Sequence, residues 1–303
     1  LKRGLKNPDK YGSGEGGKMI DFHTHIGKVF YGRKVLTAKK LVETMDKYGI
    51  KKSVVLPIEN PEETHWYSTT DYVLRNCKRY SDRLIPFCNV DPRRGLNNGK
   101  DSYLGKIIED YVKKGCKGFG EVLANLKFND KKMKFIYKIC GELSIPVLFH
   151  LGGVPGRSKI GLTDRIGLPF MEDILNEFPD TIFVAHGPGW WAEISGDVKL
   201  EDRDAYPKGP VEKEGKVVYL LENYPNIFAD LSAGSGYNAL TRDNDFGVEF
   251  LNRCYKKLLF ATDYLFVDQE IPIVNYIKKV KIPESKRKRI IENNARELLN
   301  LEG

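Results

Sequence analysis

From Met19 onward the chain alternates a short apolar run with an amphipathic stretch, and it does so eight times. Few folds accept that beat. The apolar runs fall at residues 19–22, 53–58, 84–90, 116–123, 146–151, 181–185, 227–232 and 258–262, and most are continuous rather than alternating. Continuous apolar runs are expected of parallel strands covered by helices. Apolar residues at helical spacing place helices at 38–48, 70–80, 102–114, 131–143, 169–178, near 211–222, near 246–255, at 271–280 and at 284–299. In the first of these Leu41, Val42, Met45 and Tyr48 share a face, and Gly49 is placed to end it. Eight repeats with no strand left over predict an α/β fold of one kind, a (β/α)8 TIM barrel, over an open doubly wound sheet. Such a barrel takes roughly 250 residues. Residues 19–303 are therefore expected to form a single barrel domain with long loops.

Several other classes are excluded by what the sequence lacks. No Gly-x-Gly-x-x-Gly follows a strand, and the Gly-rich stretch at 14–17 precedes the first one, so a dinucleotide fold has no support. Residues 1–18 are polar, contain no signal-peptide core, and are expected to form a flexible arm. No segment approaches the roughly 20 uninterrupted apolar residues of a membrane helix. The five cysteines, Cys77, Cys88, Cys116, Cys140 and Cys254, are odd in number and form no Cys-x-x-Cys pair. That argues against a disulfide framework and a thiolate zinc site, and points to a reducing, cytoplasmic compartment. The net charge of +8 comes largely from Lys278, Lys279, Lys281 and the run 286–289. It reads first as a solvated face, and it suits an anionic small-molecule substrate. No aromatic-interleaved basic motif is present, so no nucleic-acid partner is expected.

The chemistry sits at strand ends. Of five histidines, His23 and His25 close the first strand, His150 the fifth and His186 the sixth, while Asp263 follows the eighth. In a TIM barrel those ends form the active-site face. Residues i and i+2 of a strand share a face roughly 7 Å apart, so the rings of His23 and His25 can converge on one ion. A lone strand-end histidine is more often a hydrogen-bonded pocket residue, and Asp263 alone would serve as a helix N-cap. Four such positions together point to a divalent metal, expected to be zinc, held by imidazole and carboxylate. Asp263 is then placed both to ligate and to take a proton from a coordinated water, whose pKa a metal lowers to roughly 7.

The His-x-His, the two later histidines and the final Asp resemble the amidohydrolase superfamily over 19–301. The wording at Ile182-Phe183-Val184-Ala185-His186-Gly187, at Ala261-Thr262-Asp263 and at Ile291-Glu292-Asn293-Asn294-Ala295 resembles one branch of it. That branch contains aminocarboxymuconate-semialdehyde decarboxylase, resorcylate decarboxylases and several lactonases. Gly118-Phe119-Gly120-Glu121 departs from the branch, because a carboxylate at the fourth strand is the bridge of binuclear superfamily members. Two ligand sets stay open. With Glu121 bridging, His23, His25 and Asp263 hold one metal, and His150 and His186 a second. Without it, His23, His25, His150 and Asp263 hold one ion, and His186 orients substrate or water. A salt bridge is the plain alternative for Glu121.

The resemblance implies hydrolysis of a small ester, lactone or amide by a metal-activated water, with Asp263 and His186 catalytic. Non-oxidative decarboxylation of an aromatic or unsaturated acid is the alternative, and a metal-dependent nuclease a further one that the late-helix lysines do not favour. Arg157 is a candidate carboxylate clamp, and Trp190 and Tyr237 are candidate pocket walls beside Trp191. His65 is a loop residue that could reach the substrate. Such barrels often form homodimers, and the oligomeric state stays open.

Overall fold

The computed structural model describes residues 19–62, 67–94, 102–153 and 156–301. The predicted arm at 1–18 and His65 lie outside the described residues. Eight parallel strands follow one another in space as in sequence: β1 (Met19–Thr24), β2 (Ile50–Val55), β3 (Leu84–Pro86), β4 (Phe119–Val122), β5 (Val147–His150), β6 (Phe183–His186), β7 (Ile227–Asp230) and β8 (Leu258–Leu259). The ring closes at two junctions. Between β3 and β4, Cys88 N donates to Gly118 O (2.9 Å) and Gly120 N to Cys88 O (2.8 Å). Between β8 and β1, Phe22 N donates to Phe260 O (2.9 Å) and Asp263 N to His23 O (2.8 Å). The result is the (β/α)8 barrel.

Local sequence explains the elements. The helix Ala38–Tyr48 starts at Thr37, whose hydroxyl accepts from Lys40 N at 3.2 Å, and buries Ala38, Leu41 and Met45. It ends at Gly49, where φ is +74° and no side chain is tolerated cheaply. Inside the barrel Ile20, Phe22, Val54, Leu56, Ile85, Phe87, Leu148, Val184, Leu259 and Ala261 form one buried cluster. The Phe22 and Phe87 rings meet edge-on at 5.8 Å. The larger core lies outside, where Phe119, Phe149, Phe183 and Ala185 pack with the helices.

The periodicity misplaced some boundaries. β2 begins at Ile50, three residues before the expected run, and the helix expected near 211–222 starts at Lys216. Two helices follow β7 instead of one, Ala233–Thr241 and Asn244–Cys254, and a short helix Pro188–Ala192 opens the long connection after β6. The final helix is interrupted by a π-helical turn at Arg289–Asn293. There the carbonyl of Ile290 accepts Phe260 N at 2.9 Å, which stitches the turn to the barrel floor.

Ala295 and Leu299 plug that floor, and the buried Asn294 ties it to β8 by donating to Tyr255 O (2.7 Å) and Leu258 O (2.8 Å). Asn294→Ala removes the donor from one buried and one part-buried carbonyl, and a loss of about 2 kcal/mol is expected in urea unfolding. An unchanged midpoint would show that the floor does not depend on this tie.

Candidate metal centre

At the barrel mouth the inward-facing parity of the strands carries straight into polar residues. Leu148 points inward and so does His150; Val184 is followed two residues on by His186, Phe228 by Asp230, and Ala261 by Asp263. The β5–β6 register pairs His150 with His186 directly, and their ring centroids are 5.2 Å apart. Two strands break parity. The β1–β2 register shifts between Asp21 and Thr24, and the β4–β5 register shifts between Phe119 and Val122. In β1 this lets Phe22 join the inner cluster while its neighbour His23 still reaches the mouth. In β4 it turns Glu121 inward although Gly118 and Gly120 hold the inner positions.

Those two glycines are required by space. A Cβ on Gly118 would lie 2.3 Å from the Phe87 ring, and a Cβ on Gly120, where φ is +137°, would lie 2.3 Å from Leu148 O. Glu121 is thereby brought among the histidines, and its carbonyl accepts from Asn89 Nδ2 at 2.6 Å.

The hydrogen bonds assign the imidazole nitrogens. A carboxylate or carbonyl oxygen can only accept, so each nitrogen hydrogen-bonded to Asp230 or Leu56 carries the hydrogen. His23 Nδ1 donates to Asp230 Oδ2 (2.8 Å), His186 Nδ1 to Asp230 Oδ1 (3.0 Å) and His25 Nδ1 to Leu56 O (2.9 Å). Ser232 Oγ adds a 2.6 Å hydrogen bond to Asp230 Oδ1. In the neutral rings the three Nε2 atoms are left with lone pairs aimed at one space, those of His23 and His25 being 3.1 Å apart. Around them stand buried carboxylates. Asp263 Oδ1 makes no hydrogen bond and lies 3.4 Å from His23 Nε2 and 3.5 Å from His25 Nε2. Glu121 Oε2 is 3.4 and 3.3 Å from the same two nitrogens. Its Oε1 is 3.1 Å from His150 Nδ1 and 3.8 Å from His186 Nε2.

This donor set fits a divalent cation. Two imidazole lone pairs and an orphaned carboxylate oxygen within 3.5 Å of one another repel unless positive charge sits among them. The ionisation of the groups says the same. Burial disfavours the charged imidazole of His23, yet Asp230, Asp263 and Glu121 together push its pKa well above the ordinary histidine value. Burial would raise Asp230, but His186 and His23 hold it far below the usual carboxylate range. The pocket demands cationic charge. Two separate groups of donors can take it, His23 with His25 and Asp263, and Glu121 with His150 and His186.

Asp230 was not among the residues singled out from the sequence, although Ile227-Phe228-Ala229-Asp230 ends a strand just as the histidines do. Its strand-end position was the available signal. Gln269, which holds the Asp263 carbonyl at 2.8 Å, carried none.

Of the three expected substrate contacts, Trp190 falls elsewhere. Trp190 has no exposed surface and belongs to the outer core, so it leaves no area for a ligand to touch. Trp191 packs against Phe250. Tyr237, on the helix after β7, is taken up by helix packing against Tyr276, with ring centroids at 6.0 Å. Arg157 is exposed on the loop after β5, and no described contact joins it to the metal centre.

A family model described as amidohydrolase matches residues 20–301. The chain belongs to the amidohydrolase family. No curated protein matches the sequence. Solved structures similar to this amidohydrolase chain include 2,6-dihydroxybenzoate decarboxylase from Rhizobium, with 16% identity, TM-score 0.58, and 95% of this chain and 100% of that one covered. A dihydroxybenzoic acid decarboxylase from Polaromonas, with bound manganese and the inhibitor 2-nitroresorcinol, shares 15% identity at TM-score 0.60, covering 94% and 97%. A probable 2-pyrone-4,6-dicarboxylic acid hydrolase from Acinetobacter baumannii, with citric acid bound, shares 15% identity at TM-score 0.59, covering 94% and 100%. These likenesses establish the barrel. No helix of the described residues is long and apolar enough to cross a membrane.

Proposed function

We propose that this amidohydrolase is a metal-dependent hydrolase of a small anionic ester, lactone or amide, in which Glu121 would serve two groups of metal ligands. The observation that carries the reading is the division of the Glu121 carboxylate, one oxygen facing His23 and His25 and the other His150 and His186. His23, His25 and Asp263 would hold one cation, and His150 and His186 the other. Zinc suits the imidazole share of the set, and manganese its carboxylate share. When bound, such cations supply a Lewis acid for the carbonyl oxygen and acidify a water.

The remaining work belongs to the chain. Asp263, which would hold a cation through Oδ1, has its second oxygen to accept a proton from the attacking water and pass it to the leaving group. Asp230 keeps the His23 and His186 rings in one tautomer and orientation. Val29, Ile58 and Leu123, with Leu265 packed on them, form a small apolar cluster of the mouth loops. It offers a wall for the carbon frame of a substrate.

Decarboxylation of an aromatic acid is the second reading, and it is supported by the decarboxylases among the similar structures. In that case Asp263 would pass a proton taken from water to the carbon that loses carbon dioxide.

Metal content per chain separates the two. Near two ions are expected in the native protein and near one in Glu121→Gln. One ion in both would remove the bridge and turn the reading to decarboxylation. Product analysis then decides directly, because carbon dioxide release rules out hydrolysis and a ring-opened acid rules out decarboxylation.

A further inference from the structure

The connection after β6 is pinned across the mouth by a buried arginine. Arg203 has no exposed surface. It donates to Asp164 O at 2.8 Å, and its Nε lies 3.4 Å from Glu193 Oε1. Glu193 in turn accepts Gly167 N on both oxygens, at 3.2 and 3.1 Å. The anchor therefore joins this connection to the loop after β5. Three residues on stands Tyr206, half exposed, with its ring laid on Gly234. A Cβ at Gly234 would come within 2.7 Å of the ring and 2.8 Å of the hydroxyl. Gly234 lies two residues beyond Ser232, whose hydroxyl is 2.9 Å from His186 Nδ1, so the phenol sits at the rim of the metal centre. Burial, and next the nearby charge of Asp263, push the phenol pKa up, which keeps its proton in place as a donor. Among the described residues the hydroxyl has no hydrogen-bond partner.

We propose that Tyr206 is a substrate-binding residue whose hydroxyl donates a hydrogen bond to an anionic oxygen of the substrate seated at the metal centre. The proposal rests on the reading of that centre as a metal site for a small anionic substrate. A half-exposed, uncommitted phenol on a rigidly anchored segment supplies this contact with little ordering cost. Gly234 is the complementary device. Alanine would favour a helix at this position, and glycine is kept where the ring needs the room.

The test uses metal-replete protein titrated with 2-nitroresorcinol, followed by its absorbance. Tyr206→Phe keeps the ring on Gly234 and removes only the hydroxyl. Binding is expected to weaken about tenfold, the lower range for a hydrogen bond to a charged group, with metal content unchanged. Gly234→Ala, which displaces the ring, is expected to give a similar loss. Native affinity in either variant overturns the role of Tyr206 and leaves the reading of the centre standing. If the native, metal-loaded protein fails to bind the probe, the reading of the centre as a small-anion site falls, and the role of Tyr206 with it.

Discussion

Gly120→Ala is expected to lower stability by about 4 kcal/mol and to leave the purified protein short of metal. Two costs combine. At φ +137° an L side chain is strained wherever it sits, at roughly 1–3 kcal/mol. The added Cβ also meets Leu148 O at 2.3 Å, so β4 and β5 must separate locally, adding about 1–3 kcal/mol. Separation of these two strands moves Glu121 away from His150, which β5 carries, and divides the second group of donors. Gly49→Ala is the control. It also has positive φ, +74°, but nothing lies within 4 Å of the added Cβ. It should cost about 1 kcal/mol and leave the metal content alone. Thermal melting with elemental analysis of both variants makes the comparison. Equal effects would show that backbone conformation alone, and not the approach of β5, governs position 120.

Asp230→Ala is expected to weaken metal binding by roughly 10–100-fold and to destabilise the chain by about 2–6 kcal/mol. One carboxylate holds the Nδ1 hydrogens of two fully or nearly buried rings, His23 and His186. Its removal leaves both donors without this acceptor in a dry pocket, each costing about 1–3 kcal/mol. It also frees the rings to shift their hydrogen to Nε2, the atom that faces the candidate cation. Asp230→Asn keeps one acceptor oxygen but turns an amide toward the other ring, and should fall between the two. Competition against a chelator measures the affinity. An affinity unchanged in Asp230→Ala would mean that His23 and His186 do not bind metal through Nε2.

Residue order alone determined the barrel and most of its centre. Eight apolar runs separated by amphipathic stretches can bury themselves in few ways, and in a parallel barrel the strand ends must share one face. His150, His186 and Asp263 obey simple alternation from Leu148, Val184 and Ala261, so their convergence was legible. Asp230 obeys it too, from Phe228, and could have been read by the same rule. Trp190 was misread because an aromatic residue near a strand end has the same sequence signature whether it lines a pocket or fills the gap between helices.

What the tertiary structure decided lies where alternation fails. Phe22 and His23 are neighbours, yet one fills the barrel and the other reaches the metal centre. Glu121 turns inward beside a glycine that already holds the inner position. Both depend on register shifts, in β1 and in β4, and such a shift is a property of two paired strands and has no signature in either one alone. The placement of Tyr206 is of the same kind. It follows from a buried arginine that grips a carbonyl 39 positions away in the chain, a contact that exists only after the barrel has closed.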